Sequence, residues 1–204
     1  MRRGSKSADD LDRQYSLEES YEPHDVGEAH VRARVSDVGL DAVQWGIDER
    51  DDEGNLIYDD KLDLRLLDDD SELRGLCEVK TKRNEDWFGV INVRHYRKYL
   101  DWTLQTDVPT FIWMGYLDDS SDTTTVERQT CIPLEPWDAF VAVQNGAHPS
   151  YDAGDTRGYV EDHVEQSPQV DRVFKAPDGN RVIAFDEDAF VGWTRMMYLL
   201  GDAR

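Results

Sequence analysis

Apolar and polar positions alternate most clearly in the middle of the chain. In "KLDLRLLD" Leu62, Leu64 and Leu66 alternate with Asp63 and Arg65, the period of two expected of a strand with one buried face. The acidic turn "DDDSE" follows, and "LRGLCEVKTK" (73–82) returns as the second arm of a hairpin. Upstream, residues 1–22 lack periodicity and read as a flexible arm. Val31, Val35, Val38 and Leu40 then recur at helical spacing, with Gly39 as the stop, before "AVQWGIDE" as a strand and "DEGNLIYD" as a turn.

Downstream, "VINVRHYRKYLDWTLQ" places Val90, Val93, Tyr96 or Arg97, Leu100 and Leu104 near one helical face. "DVPTFIWMGYLD" is a continuous apolar run suited to a strand covered on both sides. A turn, the strand "VERQTCIPL" and a short helix stopped by Gly146 come next. Residues 144–170 are polar and read as one long loop or lid. A hairpin turned at Asp178-Gly179-Asn180 leads to a closing helix with Phe190, Trp193, Met197 and Leu200 toward a core. The pattern predicts an α/β chain: an arm over 1–22 and one domain over 23–204.

The hairpin holds the candidate chemistry. Strand residues two apart share a face, so Glu78 and Lys80 project together while Cys77 and Val79 turn to the core. Asp63, out of phase with its Leu neighbours, comes near them from the other arm. Two carboxylates and an ammonium at one edge suit a hard dication such as Mg²⁺ and a phosphate. The spacing is equally that of an exposed ion pair. The scattered His and two Cys give no structural zinc pattern or disulfide framework. No phosphate-binding glycine loop or nucleophile elbow is present.

With its helix, three strands, helix and strand in that order, the stretch 24–117 resembles the PD-(D/E)xK nuclease superfamily, the restriction-endonuclease-like fold. Asp63 stands where that family has its Asp, and Glu78-Val79-Lys80 stands as its (D/E)xK. Glu28 on the opening helix matches a family Glu, and His95 and Tyr99 fall where the RecB-like exonuclease branch carries Gln-x-x-x-Tyr. Leu62 replaces the family's Pro, and His95 its Gln. The resemblance implies an αβββαβ core, here followed by a C-terminal hairpin and helix. It implies Mg²⁺ or Mn²⁺ on Asp63, Glu78 and the Val79 carbonyl, with Lys80 positioning the attacking water. Glu28 would act through water or on a second ion, and His95 and Tyr99 would contact DNA phosphate or Lys80. The implied activity is DNA hydrolysis in repair, recombination or viral genome processing, with a homodimer as one possible assembly. The alternative is a catalytically silent DNA-binding or viral assembly protein of the same fold.

Charge changes this picture in two ways. The 44 acidic residues against 23 basic ones give a net charge of -21, and only six cations are Lys. Acid spread along the chain with scarce Lys is the composition of proteins working in molar salt, which screens self-repulsion. The expected setting is the cytoplasm of a halophilic archaeon or its virus, the other reading being an acidic mesophilic protein or nucleic-acid mimic. Against that background Lys80, Lys82, Arg83, Arg94, Arg97 and Lys98 form a basic island broken only by Glu85 and Asp86. It begins at the candidate site and suits a phosphate backbone. Trp87 and Phe88 beside it could stack on bases or plug the core. No apolar run reaches the length of a membrane span.

Overall fold

The structure, a computed structural model, describes residues 17–46, 48–50, 56–58, 61–118 and 124–202. Its centre is a mixed five-stranded sheet. The strands are β1 (Asp41–Gln44), β4 (Leu64–Leu67), β5 (Leu73–Lys82), β7 (Thr110–Asp118) and β8 (Thr125–Pro133), side by side in that order. Only β5 and β7 pair in parallel. β2 (Asp48–Arg50) and β3 (Leu56–Tyr58) form a separate two-stranded ribbon where a turn was expected. β6 (Val90–Asn92), β9 (Val170–Lys175) and β10 (Arg181–Phe185) form a second sheet in the order β6-β10-β9.

Both faces of the central sheet are covered, which explains the apolar run of β7. Phe111 and Trp113 pack into one core, with Val31 and Val35 of α1 (Leu17–Ser36) and Met196 and Leu200 of α5 (Trp193–Asp202). Ile112 and Met114 pack into the other, with Tyr96 and Leu100 of α2 (Val93–Thr106), Phe140 of α3 (Asp138–Gln144) and Tyr159 of α4 (Thr156–His163). On α5 the fully buried positions are Met196 and Leu200, while Trp193 and Met197 sit at the edge.

Two expectations about extent are corrected. Helix α1 begins at Leu17, so the last six residues of the expected arm belong to it; residues 1–16 lie outside the described residues. Pro23, inside the helix, has no amide to bond the preceding turn, and so reads as a break in sequence. The stretch 144–170 is not one loop but contains α4. Asp155 caps it by accepting from the Gly158 amide at 3.1 Å, and Tyr159, Val160 and Val164 are buried. No helix among the described residues is long and apolar enough to cross a membrane.

Gly27 sets how closely α1 lies on the sheet. A Cβ there would fall 2.7 Å from Thr81 Cγ2, 2.8 Å from Val79 Cγ1 and 3.1 Å from Trp113. Gly27→Ala gains about 1 kcal/mol of helix propensity but costs about 1–3 kcal/mol of overpacking. The expected result is a small net loss in a denaturant midpoint.

Candidate active site

Asp63 sits in a bend just before β4. The strict alternation expected over 62–66 breaks there. Leu62 packs in the core under α2, whereas Leu64 and Leu66 pack under α1. The register pairs Leu64 with Cys77, so Asp63 arrives beside Glu78 and Val79. Its Oδ2 accepts the Val79 amide at 2.7 Å. The predicted meeting of Asp63 with the Glu78–Lys80 strand is therefore observed.

The face carrying Glu78 is not the open polar side that alternation predicts. Leu76 precedes it into the α2-side core, and α2 closes over both. Glu78 is 4% exposed. Its Oε1 is bonded by the Lys80 ammonium and by the Tyr99 hydroxyl. Burial pushes the Glu78 carboxyl up to about 7, with the Asp63 charge adding to the shift and Lys80 opposing it. Tyr99 is itself 4% exposed, and burial followed by the Glu78 charge raises its hydroxyl well above the usual range. It anchors Glu78, meeting Lys80 on the same carboxylate oxygen, and is largely covered between helix and sheet.

On the other side of Asp63 stands His24, absent from the sequence expectations. Its Nε2 lies 3.4 Å from Asp63 Oδ2 and its Nδ1 3.5 Å from Glu28 Oε1. The hydrogen bond to Asp63 raises the His24 pKa against the lowering effect of burial. Burial likewise works to raise Asp63, but the His24 bond, the Lys80 and His24 charges and the Val79 amide together hold it below the usual range. Glu28 is fixed in turn by Arg32 at 3.1 Å and by Gln44 Nε2 at 3.0 Å. Arg32 also donates to Gln44 Oε1 at 2.6 Å. The spacing 24, 28, 32 is one face of a helix and was the available signal for His24. Gln44 reaches the cluster from β1 with no comparable signal.

His24, Glu28 and Asp63 each present a ligand atom, all within 4.8 Å of one another. The expected metal set was Asp63, Glu78 and Val79, with Glu28 beside it. The observed cluster keeps Asp63 and Glu28, adds His24 and leaves out Glu78. Val79 contributes its amide to Asp63. Two carboxylates and one imidazole fit a divalent cation. The imidazole favours Mn²⁺ or other transition metals more than Mg²⁺, which prefers oxygen.

The basic island divides. Lys82 continues the face of Glu78 and Lys80; burial, then the Lys80 charge, lowers its pKa. Arg94 Nε donates to His95 Nε2 at 3.2 Å. Burial, then the Lys80 and Arg94 charges, lowers His95 to about 4, so it is neutral at pH 7 and brings no charge to a phosphate. Arg83 is exposed beyond the end of β5. Arg97 instead turns away to Asp101 at 2.8 Å, and Asp101 also accepts from Thr156 of α4 at 3.4 Å. Arg97 lies about 200° round the helix from His95, which is why the island splits. Lys98 likewise feels Arg157 of α4; burial first, then that charge, lowers its pKa. Arg97 is thus held by Asp101 away from the expected DNA-facing side, while Lys98, three positions on from His95 and four from Arg94, shares their side of α2. Phe88 packs at the edge of the α2-side core, 6.5 Å from Phe190, with the Arg128 guanidinium 4.4 Å above its ring.

No protein-family model and no curated protein matches the chain.

Proposed function

We propose that the protein is a dication-dependent nuclease that hydrolyses DNA phosphodiester bonds, on a restriction-endonuclease-like core. The observation that carries this is the convergence of Glu28, His24 and Asp63 beside Lys80, at the bend just before β4 joins β5. The sheet supports it: α1, β1, β4, β5, α2 and β7 follow the αβββαβ order, with the last strand parallel to its neighbour.

His24, Glu28 and Asp63 would hold the cation, which supplies Lewis-acid stabilisation of charge on the phosphate. Asp63 is kept ionised by its hydrogen bonds and neighbouring cations, so it is ready to bind without first losing a proton. His24 must shed its proton to ligate, so binding is expected to release one. Lys80, held by Glu78, positions the attacking water and balances charge on the phosphate. Lys82, Arg83 and Arg94 then extend toward the DNA backbone.

The second reading, a silent DNA-binding or assembly module of the same fold, draws on Glu78 being engaged by Lys80 and Tyr99 and outside the ligand cluster. The deciding experiment incubates linear, circular, single-stranded and branched DNA with the protein in molar KCl and Mg²⁺ or Mn²⁺. Cleavage by wild type is expected, faster with Mn²⁺. His24→Ala is expected to lower Mn²⁺ affinity by about 10-fold or more, on the scale of disturbing a metal site's supporting shell, and to erase the Mn²⁺ preference. Wild-type protein inert toward every substrate with both ions would favour the silent module.

A further inference from the structure

Trp87 and the turn joining β9 to β10 enclose a groove of ≈ 390 Å³ that the proposed hydrolysis does not use. Its walls are Trp87, Val90 and Val182, and Asn92 and Asn180 supply polar edges. Lys82 lines it too, on the same strand face as Glu78 and Lys80. Two strand residues span about 6.6 Å, so the groove opens roughly one nucleotide beyond the Lys80 ammonium. Asp178 also lines it, but its carboxylate is tied by the Asn180 amide at 2.9 Å and Asn180 Nδ2 at 2.8 Å.

An aromatic wall, apolar floor, amide-bearing rim and adjoining cation make the chemistry of a nucleobase with its phosphate. A duplex keeps its bases stacked and paired, out of reach of such a slot. We infer that this groove is a nucleobase subsite, taking one unpaired base next to the phosphate held at Lys80. The protein therefore acts on single-stranded or frayed DNA ends in preference to intact duplex. The inference rests on the nuclease reading for its polarity toward Lys80, but base binding is measurable without cleavage.

The test uses a short single-stranded DNA oligonucleotide, in chelator and at one fixed salt concentration, because phosphate contacts are salt-dependent. Fluorescence anisotropy compares wild type, Trp87→Ala, Trp87→Phe and Ala176→Phe. The last fills the groove from another wall and keeps Trp87, and thermal melts confirm that each variant is folded. Trp87→Ala is expected to weaken binding about 5- to 150-fold, the range for losing one base–aromatic stack. Trp87→Phe should recover most of it, and Ala176→Phe should match the alanine variant. Oligonucleotides with a single abasic position should lose affinity for wild type at one position and lose nothing for Trp87→Ala.

Equal affinity of wild type, Trp87→Ala and Ala176→Phe would overturn the subsite even if cleavage is robust. Trp87-dependent oligonucleotide binding without cleavage by wild type would uphold the subsite and remove the nuclease reading. Tighter binding of blunt duplex than of the single strand would overturn it.

Discussion

Asp63→Asn is expected to abolish cleavage and to lower dication affinity by more than the roughly 10–100-fold typical of an outer-shell change. The substitution keeps the shape of the side chain and an oxygen that can accept the Val79 amide, so the β4–β5 junction is retained. What it removes is the negative charge that faces both His24 and Lys80. Without that charge, His24 loses the main cause of its raised pKa and Glu28 is the remaining carboxylate of the cluster. Lys80→Met makes the complementary case. Its methionine cannot position water, but none of the three clustered ligands changes, so Mn²⁺ should bind with near wild-type affinity while cleavage is lost. Calorimetric Mn²⁺ titration and a cleavage time course on both variants separate binding from chemistry. Wild-type Mn²⁺ affinity in Asp63→Asn would sink the site.

Much of this site could be read in the sequence because strand periodicity is rigid. A hairpin with "DLRLL" on one arm and "CEVK" on the other has few registers that bury the leucines, and those place Asp63 beside Glu78. The apolar run of β7 was legible for a related reason: with cores on both faces, every position from Thr110 to Gly115 is buried. The same double covering made Glu78 misleading. Alternation says which residues share a face but not whether a helix later closes over it, and here α2 does. His24 escaped notice because Pro23 suggested that the helix began beyond it. Arg97 joined the basic island by proximity in sequence, which a helix converts into a direction away from His95. Helix α4 was hidden because Gly, Pro and acidic residues surround its short apolar pattern, and its stability comes from Tyr159 and Val160 packing under α2 and α3.

The proton on Glu78 ties the stability of this fold to pH. In the folded chain the carboxyl titrates at about 7, against an ordinary value of 4.5. Between those two pH values this carboxyl holds more protons in the folded state than in the unfolded one, so its contribution to stability falls as pH rises through the window. The full change is about 3 kcal/mol, because a tenfold change in proton affinity is worth about 1.4 kcal/mol. Asp63, a depressed carboxyl, acts in the opposite direction only below pH 4, but His95, lowered to about 4 from 6.5, opposes the Glu78 contribution between those values in the wild-type chain. His24, with its raised pKa, loses its contribution only as pH climbs above 6.5. Glu78→Gln keeps the buried hydrogen-bonding shape without the titration. The stability of wild type relative to Glu78→Gln should therefore decline from pH 4.5 to 7, because His95 contributes equally to both proteins. Mn²⁺ should reduce the wild-type decline, because neutralising Asp63 removes one of the charges that raise Glu78. Parallel pH profiles for wild type and Glu78→Gln would place the proton elsewhere. If the two profiles diverge as expected, cleavage by wild type should rise with pH through about 7, as Glu78 ionises and holds the Lys80 ammonium toward the phosphate. The strand would then spend folding stability at the pH where its cation is correctly held.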